Sequence, residues 1–103
     1  MTTKILIERV VQHGHEPQVL DLMKQLRALC LDQPGYIQSE TLRDASNPSR
    51  LLVIIQWDEL GHWRHWEASD ARHLLTTEMR THLEQDPAID VFLEGLSAET
   101  SGA

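Results

Sequence analysis

The sequence of 103 residues is short of several residue types, and each shortage excludes a class of protein. A single cysteine, Cys30, allows no disulfide within the chain. Nine Lys and Arg against sixteen Asp and Glu give a formal net charge of −7 without a basic cluster, which argues against nucleic acid or an anionic membrane as a partner. No apolar run reaches the length of a membrane span, and the N-terminus lacks the pattern of a signal peptide, so we expect a cytoplasmic protein.

Aromatic residues make up only 5% of the chain, yet all three tryptophans lie within one segment, WDELGHWRHWEASDARH, at residues 57–73. The pair Trp63 and Trp66 and the pair His62 and His65 each have a spacing of three, so each pair occupies neighbouring positions on a helix. A helix face with indole and imidazole rings suits an aromatic ligand in a half-polar pocket. It equally suits a tryptophan-anchored core with histidines at its rim.

Hydrophobic periodicity predicts the order β-α-β-β-α-β. We predict strands at residues 4–12, 36–43, 50–57 and 89–96. Helical spacing predicts a helix from Glu16 to Cys30 and a second helical region, split at Ser69-Asp70, that ends before Asp86-Pro87. In its second piece the apolar stripe is predicted to comprise Ala71, Leu74, Leu75, Met79 and Leu83. The fold class is therefore α+β, a ferredoxin-like antiparallel sheet with helices on one face. We expect a single domain at residues 1–96 and a flexible C-terminal tail at 97–103.

The sheet face opposite the helices is predicted to be apolar. Its candidate residues are Leu6, Val10, Leu52, Ile54 and Phe92, together with Ile37 or Tyr36. Because an exposed apolar face on a small domain usually has a partner, we expect a homodimer whose sheets pack face to face.

Three segments carry a resemblance to a known family: PGYIQSETLRD in the second strand, LLVIIQWDE from the third strand into the helix, and HWEASDARH across the helix break. In their order and over roughly residues 4–96 the chain resembles the antibiotic biosynthesis monooxygenase (ABM) family of the dimeric α/β-barrel superfamily. The resemblance implies a ligand pocket between the sheet and the helices. Because members of that family catalyse several reactions, it implies the fold more strongly than the reaction.

Trp66 matches the helix tryptophan that lines this pocket in the haem-degrading branch of the family. That branch also has an asparagine on the first strand and a histidine about ten residues after the tryptophan. The corresponding positions here hold Ile7 or Glu8, and Thr76. Haem degradation is therefore not carried over to this chain, and we expect no cofactor.

The candidate catalytic residues are His73 and His65. His73 matches a histidine that is often present in the wider family after the W-x-x-S segment, and a neutral imidazole can accept a phenolic or enolic proton. The alternative for His73 is a surface histidine near the start of a helix. His62 and His65 lack a third metal ligand placed by the fold, and we predict no metal site.

The candidate substrate-binding residues are Trp66, His62, Trp57 and Glu8. Trp66 is either a pocket wall or a core anchor, and Trp57, at a strand end, suits packing as well as ligand contact. Trp63 is expected in a dimer interface or on the surface. Glu8 either forms an ion pair with an arginine or lines the pocket as a base with a raised pKa.

Three functions fit these residues. The first is oxidation of a small aromatic, such as a hydroquinone or a polyketide phenol, by O2 without a bound cofactor. The second is a non-catalytic module that binds a small aromatic or haem-like ligand in the same pocket. The third is an isomerase in which His73 or Glu8 moves a proton. We expect a small aromatic substrate, and under the first hypothesis the substitution His73→Ala lowers turnover more than stability.

Overall fold

The computed structural model describes residues 1–95, so the predicted tail at 97–103 lies outside the described residues. Four strands and three helices follow the predicted order, with the second helical region divided at Ser69. Their bounds are β1 Thr3–Val10, α1 Glu16–Cys30, β2 Tyr36–Arg43, β3 Arg50–Trp57, α2 Leu60–Glu67, α3 Asp70–Arg80 and β4 Ala88–Leu93. None of these helices is both long and apolar enough to cross a membrane.

The four strands form one antiparallel sheet in the order β2-β3-β1-β4. This order places the first and third strands at the centre, which is the ferredoxin-like arrangement that the sequence predicted. In the register of the central pair, Leu6 lies opposite Ile54 and Ile7 lies opposite Val53. Since neighbouring residues on a strand point to opposite faces, this register gives the sheet one face under the helices and one open face.

The core lies between the sheet and the helices. Its fully buried members include Ile5, Val19, Trp57, Trp63 and Met79. The open face carries Leu6, Leu52 and Ile54, which are half-buried, and Phe92, which is exposed. The predicted composition of that face is confirmed by the register for these four residues.

The orientation of α3 differs from the prediction. Leu74, expected in the apolar stripe, is 73% exposed, and Ala71 is also exposed. Of the predicted stripe, Met79 and Leu83 are buried and Leu75 is half-buried. The buried residues within α3 are Arg72, Thr76 and Met79. Their spacing of four and three defines one helical face, so α3 turns a mixed polar and apolar face toward the sheet. The prediction was wrong for Ala71 and Leu74 because hydrophobicity alone assigned the face.

The break between α2 and α3 follows the prediction. The Ser69 backbone is extended, and its side-chain oxygen accepts a hydrogen bond from the backbone N–H of Arg72 at 3.3 Å. The same hydroxyl donates to the carbonyl of Trp66 at 2.7 Å. Ser69 therefore ends one helix and begins the next, which satisfies a backbone donor at the new N-terminus and fixes Trp66 relative to Arg72.

Candidate functional site

A cavity of about 250 Å³ lies between the sheet and the helices. Three strands and α1 form most of its wall, and α2 and α3 contribute one residue each, Trp66 and Arg72. The lining residues are Ile7, Arg9, Leu20, Met23, Lys24, Leu26, Arg27, Cys30, Ser39, Thr41, Val53, Ile55, Trp66 and Arg72. The wall is mainly apolar with a few polar groups, which is the usual composition of a small-molecule site.

Two buried arginines are the most unusual feature of the cavity. Arg9 is only 4% exposed and Arg72 only 8% exposed. Arg9 comes from β1 at the same face as Ile5 and Ile7, and Arg72 comes from the buried face of α3. Within residues 1–95, neither guanidinium takes part in a salt bridge. Buried charges in proteins are normally paired with an opposite charge, so we expect a counter-charge for Arg9 and Arg72.

The protein environment disfavours both positive charges. Burial and, to a smaller extent, the nearby charge of Arg72 lower the pKa of Arg9 to about 10. Burial also lowers the pKa of Arg72, although the carboxylate of Glu67 acts in the opposite direction. A guanidinium with a pKa of about 10 remains protonated at neutral pH, so the cavity holds two positive charges in a poorly solvated space.

Trp66 is buried at 2% exposure, belongs to the core cluster and lines the cavity, so its position fits both a core anchor and a pocket wall. Cys30 lines the same space from the end of α1. Burial raises the pKa of the Cys30 thiol to about 11, and the positive charge of Arg72 opposes that increase. The thiol is therefore protonated at neutral pH, as expected for a packing residue.

The other two tryptophans lie outside the cavity lining, in the core. Trp57 is fully buried, and its ring meets Tyr36 edge to face at 6.0 Å between centroids. Trp63 is 1% exposed and packs against Trp57 at 6.2 Å, with the guanidinium carbon of Arg72 lying 5.3 Å from its ring centroid. The expectation of a surface or interface position for Trp63 was wrong, because α2 turns that residue into the core. The contact with Trp63 holds Arg72 from one side.

The three candidate histidines do not line the cavity. His65 and His73 are exposed on α2 and α3. The Nδ1 atom of His62 lies 2.6 Å from Oδ1 of Asp58, and this hydrogen bond lowers the pKa of Asp58. The structure therefore places none of them in the cavity lining, and the catalytic roles of His73 and His65 stay predictions that the geometry does not favour.

Glu8 lies on the open face of the sheet, opposite to the cavity. Its two carboxylate oxygens accept hydrogen bonds from Nε and Nη2 of Arg50, each at 3.0 Å. Hydrogen bonding to Arg50 lowers the pKa of Glu8, whereas a base in the pocket needs a raised one. Of the two alternatives for Glu8, the structure therefore shows the ion pair, and its partner is Arg50.

Possible metal ligands are dispersed over the described part of the chain. No three His, Cys, Asp or Glu side chains among residues 1–95 lie close enough to hold a metal ion together. His15 and His82 form a close pair, with their Nδ1 atoms 2.9 Å apart, which links the start of α1 to the turn after α3. This pair is a structural contact that sequence spacing does not reveal.

Sequence reasoning missed Arg9 and Arg72, although a signal for each was present. Arg9 alternates with Ile5, Ile7 and Val11, so strand periodicity places it on the buried face. Arg72 precedes Thr76 and Met79 by four and seven residues, which is the spacing of one helical face. What the sequence could not show is that both side chains end at one cavity.

The comparisons with known proteins agree with this fold. A crystal structure of a conserved protein from Methanosarcina mazei Go1 superposes with a TM-score of 0.87 at 17% identity, covering 92% of this chain and 94% of that one. SnoaB from Streptomyces nogalater, described as a cofactor-independent oxygenase, has a TM-score of 0.82 at 16% identity, covering 94% and 96%. Rv0793 from Mycobacterium tuberculosis has a TM-score of 0.84 at 9% identity, covering 95% and 99%. At these identities the likeness shows the fold alone.

No curated protein matches the chain in sequence. The family model for antibiotic biosynthesis monooxygenases, in contrast, matches residues 4–75. This range runs from the first strand to the middle of α3 and includes both buried arginines and Trp66. The chain therefore belongs to the antibiotic biosynthesis monooxygenase family.

Proposed function

We propose that this protein is a monooxygenase that oxidises a small phenol with O2 in the cavity beside Trp66, without a bound cofactor. The observation that carries the proposal is the cavity itself, an apolar space whose buried charged groups are the guanidiniums of Arg9 and Arg72. Its volume of about 250 Å³ is just below the usual range for drug-sized ligands, so a molecule of one or two fused rings fits. Family membership and the likeness to SnoaB support the type of reaction.

The reaction balances without an external reductant. A phenol with an unsubstituted ring position and one O2 give a quinone and one water. One oxygen atom forms a new bond to ring carbon, and the O–O bond breaks so that the other oxygen leaves as water. The ring loses four electrons and O2 gains four, while the phenolic proton and the ring proton end in the water. The substrate itself is therefore the reductant.

The cavity supports the first step, which is loss of the phenolic proton. Two guanidiniums stabilise the phenolate over the neutral phenol, so they lower the pKa of a bound phenol. The proton leaves to water at the cavity mouth, where the exposed Lys24 and Arg27 lie. Trp66 and the aliphatic wall keep bulk water from the electron-rich ring while O2 reacts with it. This assignment replaces a histidine base with electrostatic stabilisation.

We also propose that the protein is a homodimer that buries the open face of the sheet. Leu6, Leu52 and Ile54 are only half-buried in the single chain, although all three are central in the sheet. Ion pairs such as Glu8 with Arg50 lie toward one end of the same face. Glu40 and Asp90 lie on this face opposite Ile54 and Leu6, and protein interfaces commonly combine apolar and polar residues in this way.

The test is oxygen uptake by the purified, metal-stripped protein with a panel of hydroquinones and naphthols. We expect uptake that depends on substrate and falls by about 100-fold in Arg72→Met, as for loss of one anion-stabilising donor. Arg64→Met is the matched control, because Arg64 is exposed on α2 and outside the cavity lining. Saturable quenching of tryptophan fluorescence without uptake would indicate a binding module, and conversion without O2 would indicate an isomerase; either result contradicts the proposal.

A further inference from the structure

We propose that the cavity recognises an anionic ligand, a small aromatic carboxylate whose carboxylate is held by Arg9 and Arg72. As a statement about substrate class, the inference rests on the proposed function. As a statement about binding, it can be tested without any turnover.

The two buried guanidiniums have no counter-charge within residues 1–95. Arg9 and Arg72 are both more than nine-tenths buried, and within residues 1–95 neither forms a salt bridge. Both arginines also line a second, much smaller cavity beside β4, so both lie between the two cavities. A buried cation without a partner destabilises a fold, and two adjacent ones do so more strongly. A bound carboxylate supplies the missing charge and accepts hydrogen bonds from both side chains.

Positive charge is concentrated at the cavity. The chain carries a net charge of −7, yet Arg9, Lys24, Arg27 and Arg72 line the cavity and no Asp or Glu within residues 1–95 does. Four of the nine Lys and Arg residues thus converge on one cavity. Lys24 and Arg27, which are exposed at its edge, attract an anion from solution, and the buried pair holds it.

The apolar part of the cavity lining favours an anion that carries an aromatic ring. Ile7, Val53 and Ile55 form an apolar floor, and Trp66 closes one side. Thr41 lies on β2, two strands away from Arg9 on β1, and strand spacing puts about 10 Å between those ends of the cavity. A ligand whose carboxylate and neighbouring ring hydroxyl both lie at the arginine end, with its one or two rings extending toward the threonine end, therefore fits the cavity. The planar guanidinium matches a carboxylate in particular.

Calorimetric titration with 2-naphthoate and 2-naphthamide tests the charge requirement, because the two probes have nearly the same shape. We expect 2-naphthoate to bind at least tenfold more tightly. Arg9→Met and Arg72→Met should each remove that preference, whereas Arg64→Met should keep it. Far-UV circular dichroism and thermal unfolding of each variant verify that it is folded.

Alkylation of Cys30 locates the bound probe. Cys30 is the only cysteine of the chain and lines the cavity, so 2-naphthoate should slow its reaction with iodoacetamide in the folded protein. The same concentration of 2-naphthamide should protect less. Protection by 2-naphthoate should be lost in Arg9→Met.

Equal affinity for the two probes, unchanged preference in Arg9→Met and Arg72→Met, or no protection of Cys30 would overturn the inference. Binding of 2-naphthoate with these properties but no oxygen uptake with any phenol would contradict the proposed function alone. Oxygen uptake with neutral phenols and no preference for carboxylates would contradict the inference alone.

Discussion

Arg9 is a cation at a strand position where its neighbours on the same face are apolar. Ile5, Ile7 and Val11 are all buried, and Arg9, which lies between Ile7 and Val11 on the same face, is only 4% exposed. The alternation is visible in the sequence, but a long side chain can also bend outward and place its charge in water. Only the packing of α3 over this strand decides between the two, and the sequence does not specify that packing. Residue identity therefore predicted the face of Arg9 but not its burial.

Replacement of Arg9 by Met should stabilise the ligand-free protein. A buried charge without a partner costs free energy, and Met fills a similar volume without it, so we expect the free energy of unfolding to rise by about 1–3 kcal/mol. Urea denaturation at pH 7 measures it, with Arg64→Met as a control within about 0.5 kcal/mol of wild type. A loss of stability in Arg9→Met would show that the charge is compensated in the free protein.

The pH dependence of this difference has a defined sign. The pKa of Arg9 is about 10 in the folded protein against an ordinary value of 12.5, so the folded state releases its proton first as the pH rises. Between these pH values the unfolded state binds more protons, and wild-type stability rises relative to Arg9→Met. The difference in the free energy of unfolding between Arg9→Met and wild type should therefore stay constant below about pH 9 and decrease above pH 10.

At the scale of elements, local signals predicted the order and most boundaries. The observed β2 and β3 have the predicted bounds, and the split at Ser69 was predicted from its capping chemistry. The rotation of α3 was not, because its amphipathic pattern offers two faces, one with Leu74 and one with Arg72. Burial of the second face depends on a cavity that no single helix specifies.

Gly35 connects α1 to β2 and lies close to the connection between β3 and α2. Its φ of +86° lies in the left-handed region, and a Cβ there would collide with Oδ1 of Asp58 and Nδ1 of His62. We expect Gly35→Ala to lower the free energy of unfolding by about 2 kcal/mol through strain and this collision. Gly14→Ala is the control, because Gly14 has a similar φ of +84° and nothing within 4 Å of the added atom. Equal losses in both variants would refute the packing contribution.

At the scale of the whole molecule, no helix within residues 1–95 covers the open face of the sheet. The alternation along β1 and β3 predicted its composition, and the register of Leu6 with Ile54 confirms it. The cavity on the other face could not be predicted in the same way. It needs Arg9 from β1, Trp66 from α2 and Arg72 from α3 to converge, and Arg9 is more than fifty positions from the other two in sequence.

Dimerisation should depend on Ile54 at the centre of the open face. Multi-angle light scattering should give wild type twice the chain mass of 11.8 kDa, and Ile54→Lys a single chain mass, because a charge at an apolar interface centre is costly. Val91→Lys is the control, since Val91 is exposed on the helix side of β4. A monomeric wild type, or a dimeric Ile54→Lys, would show that this face is not the interface.

Reaction under ¹⁸O2 tests the central claim most directly, namely that the cavity catalyses monooxygenation by O2 alone. With metal-stripped protein and a hydroxynaphthoate, we predict one ¹⁸O atom in the quinone product and one in water for each O2 consumed. Arg72→Met should lose this incorporation while Arg64→Met retains it. No product labelling in the presence of saturable ligand binding would contradict the account.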